Sequence, residues 1–129
     1  MATMLKIGEE IPTLTKNAYA PVAEDARNPI HTDDYAREHS MRGALVPGST
    51  LLSYVLEMLY NCFGEKWLRH GKINVSFIGG GAINGDVLTA HGSVKSIDSE
   101  EAGVRAKLDV WMVNQKGDKI VVGEASCIL

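Results

Sequence analysis

The longest apolar stretch of the chain predicts a helix over residues 47–63, and Gly64 is placed to end it. Ser49 or Thr50 is positioned to cap its first turn. Apolar residues occupy most of the circumference, so the helix is expected to be wrapped by other elements rather than laid on a surface. A single narrow stripe is polar, and its members are Ser53, Glu57 and Asn61.

After residue 71 the pattern changes to alternation and to runs of β-branched residues, separated by turn signals. It predicts four strands, over residues 72–78, 85–97, 101–114 and 119–128. In the third strand one face is apolar, with Val104, Ala106, Leu108, Val110 and Met112, and the other carries Arg105, Lys107, Asp109 and Trp111. This alternation predicts a sheet with one core face and one wetter face. Upstream, residues 5–20 predict a short strand or an extended arm.

One buried helix followed by antiparallel strands predicts an α+β sandwich, in which a curved sheet wraps the helix. A chain of 129 residues with 45% hydrophobic residues is enough for one core, so we expect a single domain over residues 1–129. No apolar stretch approaches the roughly 20 residues that span a bilayer, and residues 1–6 contain no apolar run of the kind found in leaders. We therefore expect no membrane partner and a cytoplasmic location.

The formal net charge of −3 gives no basic field that would attract nucleic acid, and the lysines and arginines are scattered. Cys62 and Cys127 form no CxxC pair and no cluster with histidines at zinc spacing. Both are expected to be buried thiols. The sequence thus predicts no nucleic-acid partner and no metal.

Candidate chemistry is concentrated before the long helix. Residues 21–28 are polar and turn-prone, and Pro29 biases Asn28 toward extended geometry, so a loop delivers Asn28 and His31. A helix start offers free backbone N–H groups and a positive dipole end. A histidine beside it can therefore move protons while the N–H groups hold an oxyanion, which is half of an acyl-chemistry site.

The same residues resemble the MaoC-like, (R)-specific enoyl-CoA hydratase branch of the hot-dog superfamily, at pattern level over roughly residues 20–100. The matching positions are Asn28, Pro29, Ile30, His31, Asp33, Ala36, Gly43 and Gly48. The resemblance implies a hot-dog fold and a homodimer or higher homo-oligomer, with sheets joined edge to edge and acyl sites between subunits. It further implies an acyl-CoA or acyl-carrier thioester as substrate and no cofactor.

In that family the catalytic Asp lies two residues before the Asn and activates water. The catalytic His lies three residues after the Asn and donates a proton. Carried over, His31 matches the His, Asn28 the Asn, and Gly48 the glycine whose N–H polarises the thioester carbonyl. The Asp position holds Ala26, and Asp25 lies one residue upstream. Either a one-residue insertion places Asp25 in the catalytic role, or Asp25 faces solvent and the water-activating group is absent.

The candidate site is completed by three positions assigned to substrate binding with Asn28, namely Gly43, Pro47 and Ser49. Here the helix begins with Pro47 and Gly48, where the family often has His-Gly, which suggests a divergent branch. Asn28 and His31 also have an ordinary interpretation as turn residues. Asn before Pro is common in turns, and a turn histidine can form hydrogen bonds with nearby backbone.

Three functions remain open from the sequence. The first is (R)-specific hydration of a trans-2-enoyl thioester or the reverse dehydration. The second is a non-catalytic module that binds an acyl thioester or serves in dimerisation, which Ala26 at the Asp position favours. The third is thioester hydrolysis by a helix-borne carboxylate, for which Glu57 is the candidate. The acyl length, the carrier and the direction of the reaction are not encoded in any motif.

A run of three glycines, Gly79–Gly81, follows the first of the four strands. It lacks the Lys and the Ser or Thr of a P-loop and precedes another turn rather than a helix. The sequence therefore predicts a strand connection near an acyl tunnel, not a phosphate-binding loop.

Overall fold

The computed structural model describes residues 5–19, Arg37 and residues 44–129. Helices α1, Gly48–Phe63, and α2, Glu65–His70, lie wholly within the described ranges. The sheet has five strands, which are β1 (Leu14–Asn17), β2 (Lys72–Phe77), β3 (Val87–Glu100), β4 (Gly103–Val113) and β5 (Lys119–Ile128).

The sheet is antiparallel throughout, in the order β1-β3-β4-β5-β2. The four predicted strands are confirmed, each boundary falling within three residues of its expected place, and β1 lies inside the predicted extended arm. The helix and the sheet together give the α+β architecture that the sequence predicts. Within the described part of the chain, no helix is long and apolar enough to cross a membrane.

Helix α1 begins and ends as its sequence indicates, but its first turn is not capped by a side chain. The residue before the helix is Pro47, whose carbonyl oxygen accepts hydrogen bonds from the N–H groups of Thr50 and Leu51 at 3.0 and 3.2 Å. The prediction that Ser49 or Thr50 caps the helix is wrong, because both lie inside it, beyond the capping position. At the other end Gly64 has a φ of 65° and donates to the Tyr60 carbonyl at 2.7 Å.

The core lies between α1 and the inner face of the sheet. From α1 it takes Leu51, Tyr54, Val55, Met58 and Leu59. From β4 it takes Ala106, Leu108, Val110 and Met112, which are the residues of the predicted core face other than Val104. Each large aliphatic side chain buried in this way contributes about 1.5–3 kcal/mol relative to exposure. Burial around α1 is less even than its apolar pattern predicts, since Tyr60 is exposed.

The alternation of β4 fails at its first two side chains. Val104 is 41% exposed, whereas Arg105, expected on the wetter face, is only 7% exposed. Its guanidinium donates to a Glu100 carboxylate oxygen at 2.9 Å, to the His70 carbonyl at 3.0 Å and to the Ser126 hydroxyl at 3.1 Å. These partners satisfy the buried charge, and two of them, His70 and Ser126, come from distant parts of the chain that the pattern of β4 alone does not reveal.

The two cysteines are consistent with the expectation of buried thiols. Cys127 is buried and Cys62 is partly buried. Burial raises the pKa of both thiols, and for Cys62 the neighbouring Cys127 adds to the increase. Neither group therefore has the lowered thiol pKa of a nucleophilic cysteine.

Candidate active site at the head of the long helix

The predicted site residues fall into two groups. Asp25, Asn28, His31 and Gly43 lie outside the described residues, so their predicted roles stay predictions. Pro47, Gly48 and Ser49 form the head of α1 and are partly or fully exposed. The geometry of the site is therefore built from this helix head and its neighbours.

Two backbone donors are available at the helix head. Thr50 and Leu51 donate to the Pro47 carbonyl, while the N–H groups of Gly48 and Ser49 have no acceptor among the residues that the structure describes. They stand at the positive end of a 16-residue helix whose first turn carries no acidic side chain. Such a pair of free N–H groups can hold an oxygen on which negative charge develops.

Phe77 packs directly against this helix head. A methyl group added at Gly48 would lie 3.2 Å from Cε2 and 3.3 Å from Cζ of the Phe77 ring, which is closer than nearly all such contacts in proteins. The ring is nevertheless 51% exposed. Gly48 therefore lets an aromatic ring approach the two donors, and the ring provides an apolar wall beside them.

Sequence reasoning missed Phe77, although the residue was inside a correctly predicted strand. Its position against Gly48 follows from the pairing of β2 with β5, which sets Phe77 opposite the buried Val121 and so turns its ring to the inner face. Only the sheet order, in which β2 lies beside β5 rather than β3, contains this information.

The approach to α1 is fixed by a short antiparallel contact between two connecting segments. Leu45 forms a bridge with Ile83, the Val46 N–H donates to the Ala82 carbonyl at 2.8 Å, and the Asn84 N–H donates to the Ala44 carbonyl at 3.1 Å. Both Val46 and Ala82 are buried. The residues immediately before Pro47 are thus tied to the chain that enters β3, which holds the helix head in place.

The turn that enters β3 is itself held by a buried carboxylate. Asp86 is 3% exposed, and its side chain accepts hydrogen bonds from the Ile83 N–H and from the Gln115 amide, both at 2.9 Å. Its carbonyl accepts from the Ala18 N–H at 2.7 Å. Asp86 is therefore engaged in supporting the helix approach, and it is not placed as a catalytic acid.

Glu57, the candidate for thioester hydrolysis, is not a buried carboxylate. Its side chain is 44% exposed and pairs with the Lys16 ammonium at 3.0 Å. Lys16 also lies over the ring of Tyr54, with its Nζ 5.6 Å from the ring centroid. Glu57 therefore lies on the exposed polar stripe of α1, and the ion pair links β1 to the helix.

No group of three or more potential metal ligands occurs among the described side chains.

No family model and no curated protein matches the chain, but solved structures do. An (R)-hydratase from A. caviae involved in PHA biosynthesis is 25% identical, with a TM-score of 0.76 over 99% of each chain. R-hydratase PhaJ1 from Pseudomonas aeruginosa is 17% identical, with a TM-score of 0.74 over 96% of this chain and 81% of that chain. A MaoC-like dehydratase from Rhodospirillum rubrum is 17% identical, with a TM-score of 0.73 over 95% and 91%. The chain thus shares its architecture, almost end to end, with these proteins.

Proposed function

Because this chain has the hot-dog fold and belongs to the MaoC-like hot-dog family, we propose that it is a hydro-lyase of acyl thioesters. The reaction is the (R)-specific addition of water to a trans-2-enoyl-CoA, or the reverse dehydration of a 3-hydroxyacyl-CoA. Two of the similar structures belong to proteins described as R-hydratases, and the motif around His31 points to the same chemistry.

The observation that carries this proposal is the pair of free N–H groups at the head of α1. A thioester carbonyl oxygen that accepts hydrogen bonds from Gly48 and Ser49 becomes more negative as a nucleophile adds to C3, and the helix dipole stabilises that charge. Removing one such preorganised donor costs about a hundred- to a thousandfold in rate. The neighbouring Phe77 ring reduces the access of water to these hydrogen bonds and strengthens them.

The motif residues supply the proton transfers. Asp25 takes a proton from a water molecule as the water oxygen bonds to C3, the C2–C3 double bond opens, and His31 donates a proton to C2. The same two groups operate in reverse for dehydration. A positioned general acid or base contributes on the order of a hundred- to ten-thousandfold, so the loss of either group is measurable.

The assignment of partner and location follows from the same proposal. The substrate is an acyl-CoA or an acyl-carrier thioester, the protein works in the cytoplasm, and it assembles as a homodimer or a higher homo-oligomer. Among the described strands, β2 has a neighbour on one side only, so it offers an edge to a second copy. The structural neighbours include a component of a ChsH1-ChsH2 complex from Mycobacterium tuberculosis, which is an assembly in its own right.

The test is the hydration of crotonyl-CoA and of a longer trans-2-enoyl-CoA, followed by loss of the conjugated thioester absorbance. Wild type is compared with Asp25→Asn and His31→Ala, and kcat/KM is expected to fall about a hundredfold or more in each variant. A full effect of His31→Ala with no effect of Asp25→Asn would contradict the assignment of Asp25 alone. Wild-type protein that hydrates neither substrate would overturn the hydro-lyase proposal.

The presence of Ala26 at the family's Asp position favours one second candidate, a module that binds acyl thioesters without converting them. The helix-head donors and the apolar ring serve binding as well as catalysis. Calorimetric binding of a saturated acyl-CoA by a protein that does not hydrate the enoyl-CoA would support this candidate.

A further inference from the structure

The glycine turn after β2 presents backbone donors to a cavity. Gly79 and Gly81 have positive φ values of 65° and 71°, a backbone conformation that residues other than glycine rarely adopt. The N–H groups of Gly79, Gly80 and Gly81 have no acceptor in the part of the chain that the structure describes. Successive free N–H groups in such a turn form a concave site suited to anions.

The opposite wall of this cavity is basic. The cavity has a volume of about 440 Å³ and is lined by the three glycines and by two lysines. Lys116 lies in the turn between β4 and β5, and Lys119 is the first residue of β5. Asp118 also lines the cavity, so the lining side chains carry two positive charges and one negative charge. Neither lysine is paired with a carboxylate among the described residues.

Local contacts hold both lysines beside the glycine turn. The Asn114 carboxamide oxygen accepts hydrogen bonds from the N–H groups of Lys116 and Asp118 at 2.9 and 3.1 Å, which fixes the shape of the β4–β5 turn. The Lys119 ammonium lies 5.9 Å from the centroid of the Trp111 ring. This cation–π contact orients the ammonium without neutralising its charge.

The cavity and the candidate active site share one short segment of chain. Phe77 contacts the head of α1, the Ile78 N–H donates to the Ile120 carbonyl at 2.9 Å, and a methyl group at Gly79 would lie 3.3 Å from the Lys119 carbonyl oxygen. Even fully extended, residues 77–81 span at most about 14 Å. An extended pantetheine arm is longer than this, so a thioester at the helix head can place its distal phosphate at the glycine turn.

We infer that the cavity between Gly79–Gly81 and the lysines Lys116 and Lys119 binds the phosphate that ends the pantetheine arm of the acyl carrier. This phosphate is shared by CoA and by the phosphopantetheine group of a carrier protein. The inference rests on the proposed thioester substrate and adds a second anchoring point to it. The sequence analysis excluded a P-loop because no lysine follows the glycines at the P-loop position. In the proposed site the lysines come instead from the β4–β5 hairpin.

A single substitution tests the inference with a matched control. At Gly80 an added Cβ atom meets no atom within 4 Å and the φ is not positive, so both Gly80→Asp and Gly80→Asn are expected to fold. The carboxylate repels a bound phosphate, whereas the isosteric amide does not. In calorimetric titrations with hexanoyl-CoA, Gly80→Asp should weaken binding about tenfold or more, and Gly80→Asn about twofold or less. Equal affinities of the two variants would overturn the inference.

A second experiment removes the phosphate from the ligand. Wild type should bind hexanoyl-CoA about tenfold or more tightly than hexanoyl-pantetheine, and the double variant Lys116→Gln/Lys119→Gln should abolish this preference without weakening hexanoyl-pantetheine. The control Lys6→Gln/Lys66→Gln, which alters net charge equally at other exposed lysines, should retain the preference. A preference that survives in the Lys116/Lys119 variant would overturn the site.

Hexanoyl-4′-phosphopantetheine distinguishes the two sources of the phosphate. Binding as tight as that of hexanoyl-CoA would show that the phosphate adjoining the pantetheine arm is sufficient, as in a carrier protein. Binding that requires the intact nucleotide would identify CoA as the source. Protein that binds thioesters but is indifferent to Gly80→Asp overturns this inference alone, whereas protein that binds no thioester overturns the proposed function as well.

Discussion

At the scale of single residues, Gly48 combines two requirements that one side chain would disturb together. It provides a free N–H at the helix head, and it leaves room for the Phe77 ring. Alanine retains the N–H and suits a helix better than glycine does, so any loss in Gly48→Ala must come from its contact with the ring.

We expect Gly48→Ala to lower kcat/KM for enoyl-CoA hydration about tenfold or more, because the added methyl group displaces either Phe77 or the helix head that holds the donors. Steady-state kinetics of Gly48→Ala, Phe77→Leu and the double variant give the coupling between the two residues. In the double variant the smaller side chain should restore part of the lost activity. Strictly additive effects would show that the contact does not position the donors.

Arg105 is the residue at which stability depends most on a polar contact that the sequence did not reveal. Its replacement by alanine removes three hydrogen bonds and leaves the Ser126 hydroxyl, which is buried, without this partner. We expect Arg105→Ala to lower the free energy of unfolding in urea by about 2–4 kcal/mol. The neighbouring Lys107 is exposed, so Lys107→Ala should change the free energy of unfolding by no more than about 0.5 kcal/mol. Similar values for the two variants would contradict this account of Arg105.

At the scale of elements, local pattern was sufficient for α1 and for β2 to β5, but not for α2, which was not predicted, nor for the contacts between elements. The apolar run and Gly64 gave the limits of α1, and alternation with turn signals gave β2 to β5. The first-turn cap was misassigned because the helix begins directly after Pro47, whose carbonyl accepts from the N–H groups of Thr50 and Leu51. The burial of Arg105 and the contact of Phe77 with Gly48 depend on sheet order and register, which long-range pairing sets.

The same limit applies to the candidate sites. Motif and resemblance pointed to Gly48, whose N–H has no acceptor among the described residues, while its role in catalysis stays a prediction. The lysines opposite the glycine turn were not predicted, because residues 79–81 and 116–119 are separated by more than thirty positions and meet only through the pairing of β2 with β5. A search for a phosphate loop in contiguous sequence misses a site that the β2–β3 connection and the β4–β5 hairpin build together.

The packing of β1 against α1 allows a test that separates hydration from hydrolysis. Glu57 pairs with Lys16 at the protein surface, an arrangement that contributes about 0–1 kcal/mol. We expect Glu57→Gln to leave the rate of enoyl-CoA hydration within about twofold, because the proposed reaction does not use this carboxylate. The release of free CoA from a saturated acyl-CoA, followed with a thiol reagent, is measured in parallel. Thioester cleavage by wild type that disappears in Glu57→Gln would instead assign hydrolysis to this residue.

At the scale of the whole molecule, the described surface has an incompletely covered region where β2, Phe77 and the helix head meet. Strand β2 is an edge of the sheet, and Phe77 at its end is half exposed beside the proposed oxyanion donors. An edge strand that ends in an exposed aromatic ring favours pairing with another chain. A second copy on this edge would cover the ring and exclude water from the site.

We therefore expect a mass of two chains or more in sedimentation equilibrium, and a specific activity that falls as dilution populates the monomer. The physical reason is that hydrogen bonds to the thioester weaken when water reaches the exposed side of Phe77. Adding excess inactive His31→Ala protein to dilute wild type should restore activity, because mixed dimers rebuild the cover over the wild-type helix head. A monomer that retains full specific activity at every dilution would show instead that one chain closes its own site, and that the edge of β2 has no part in catalysis.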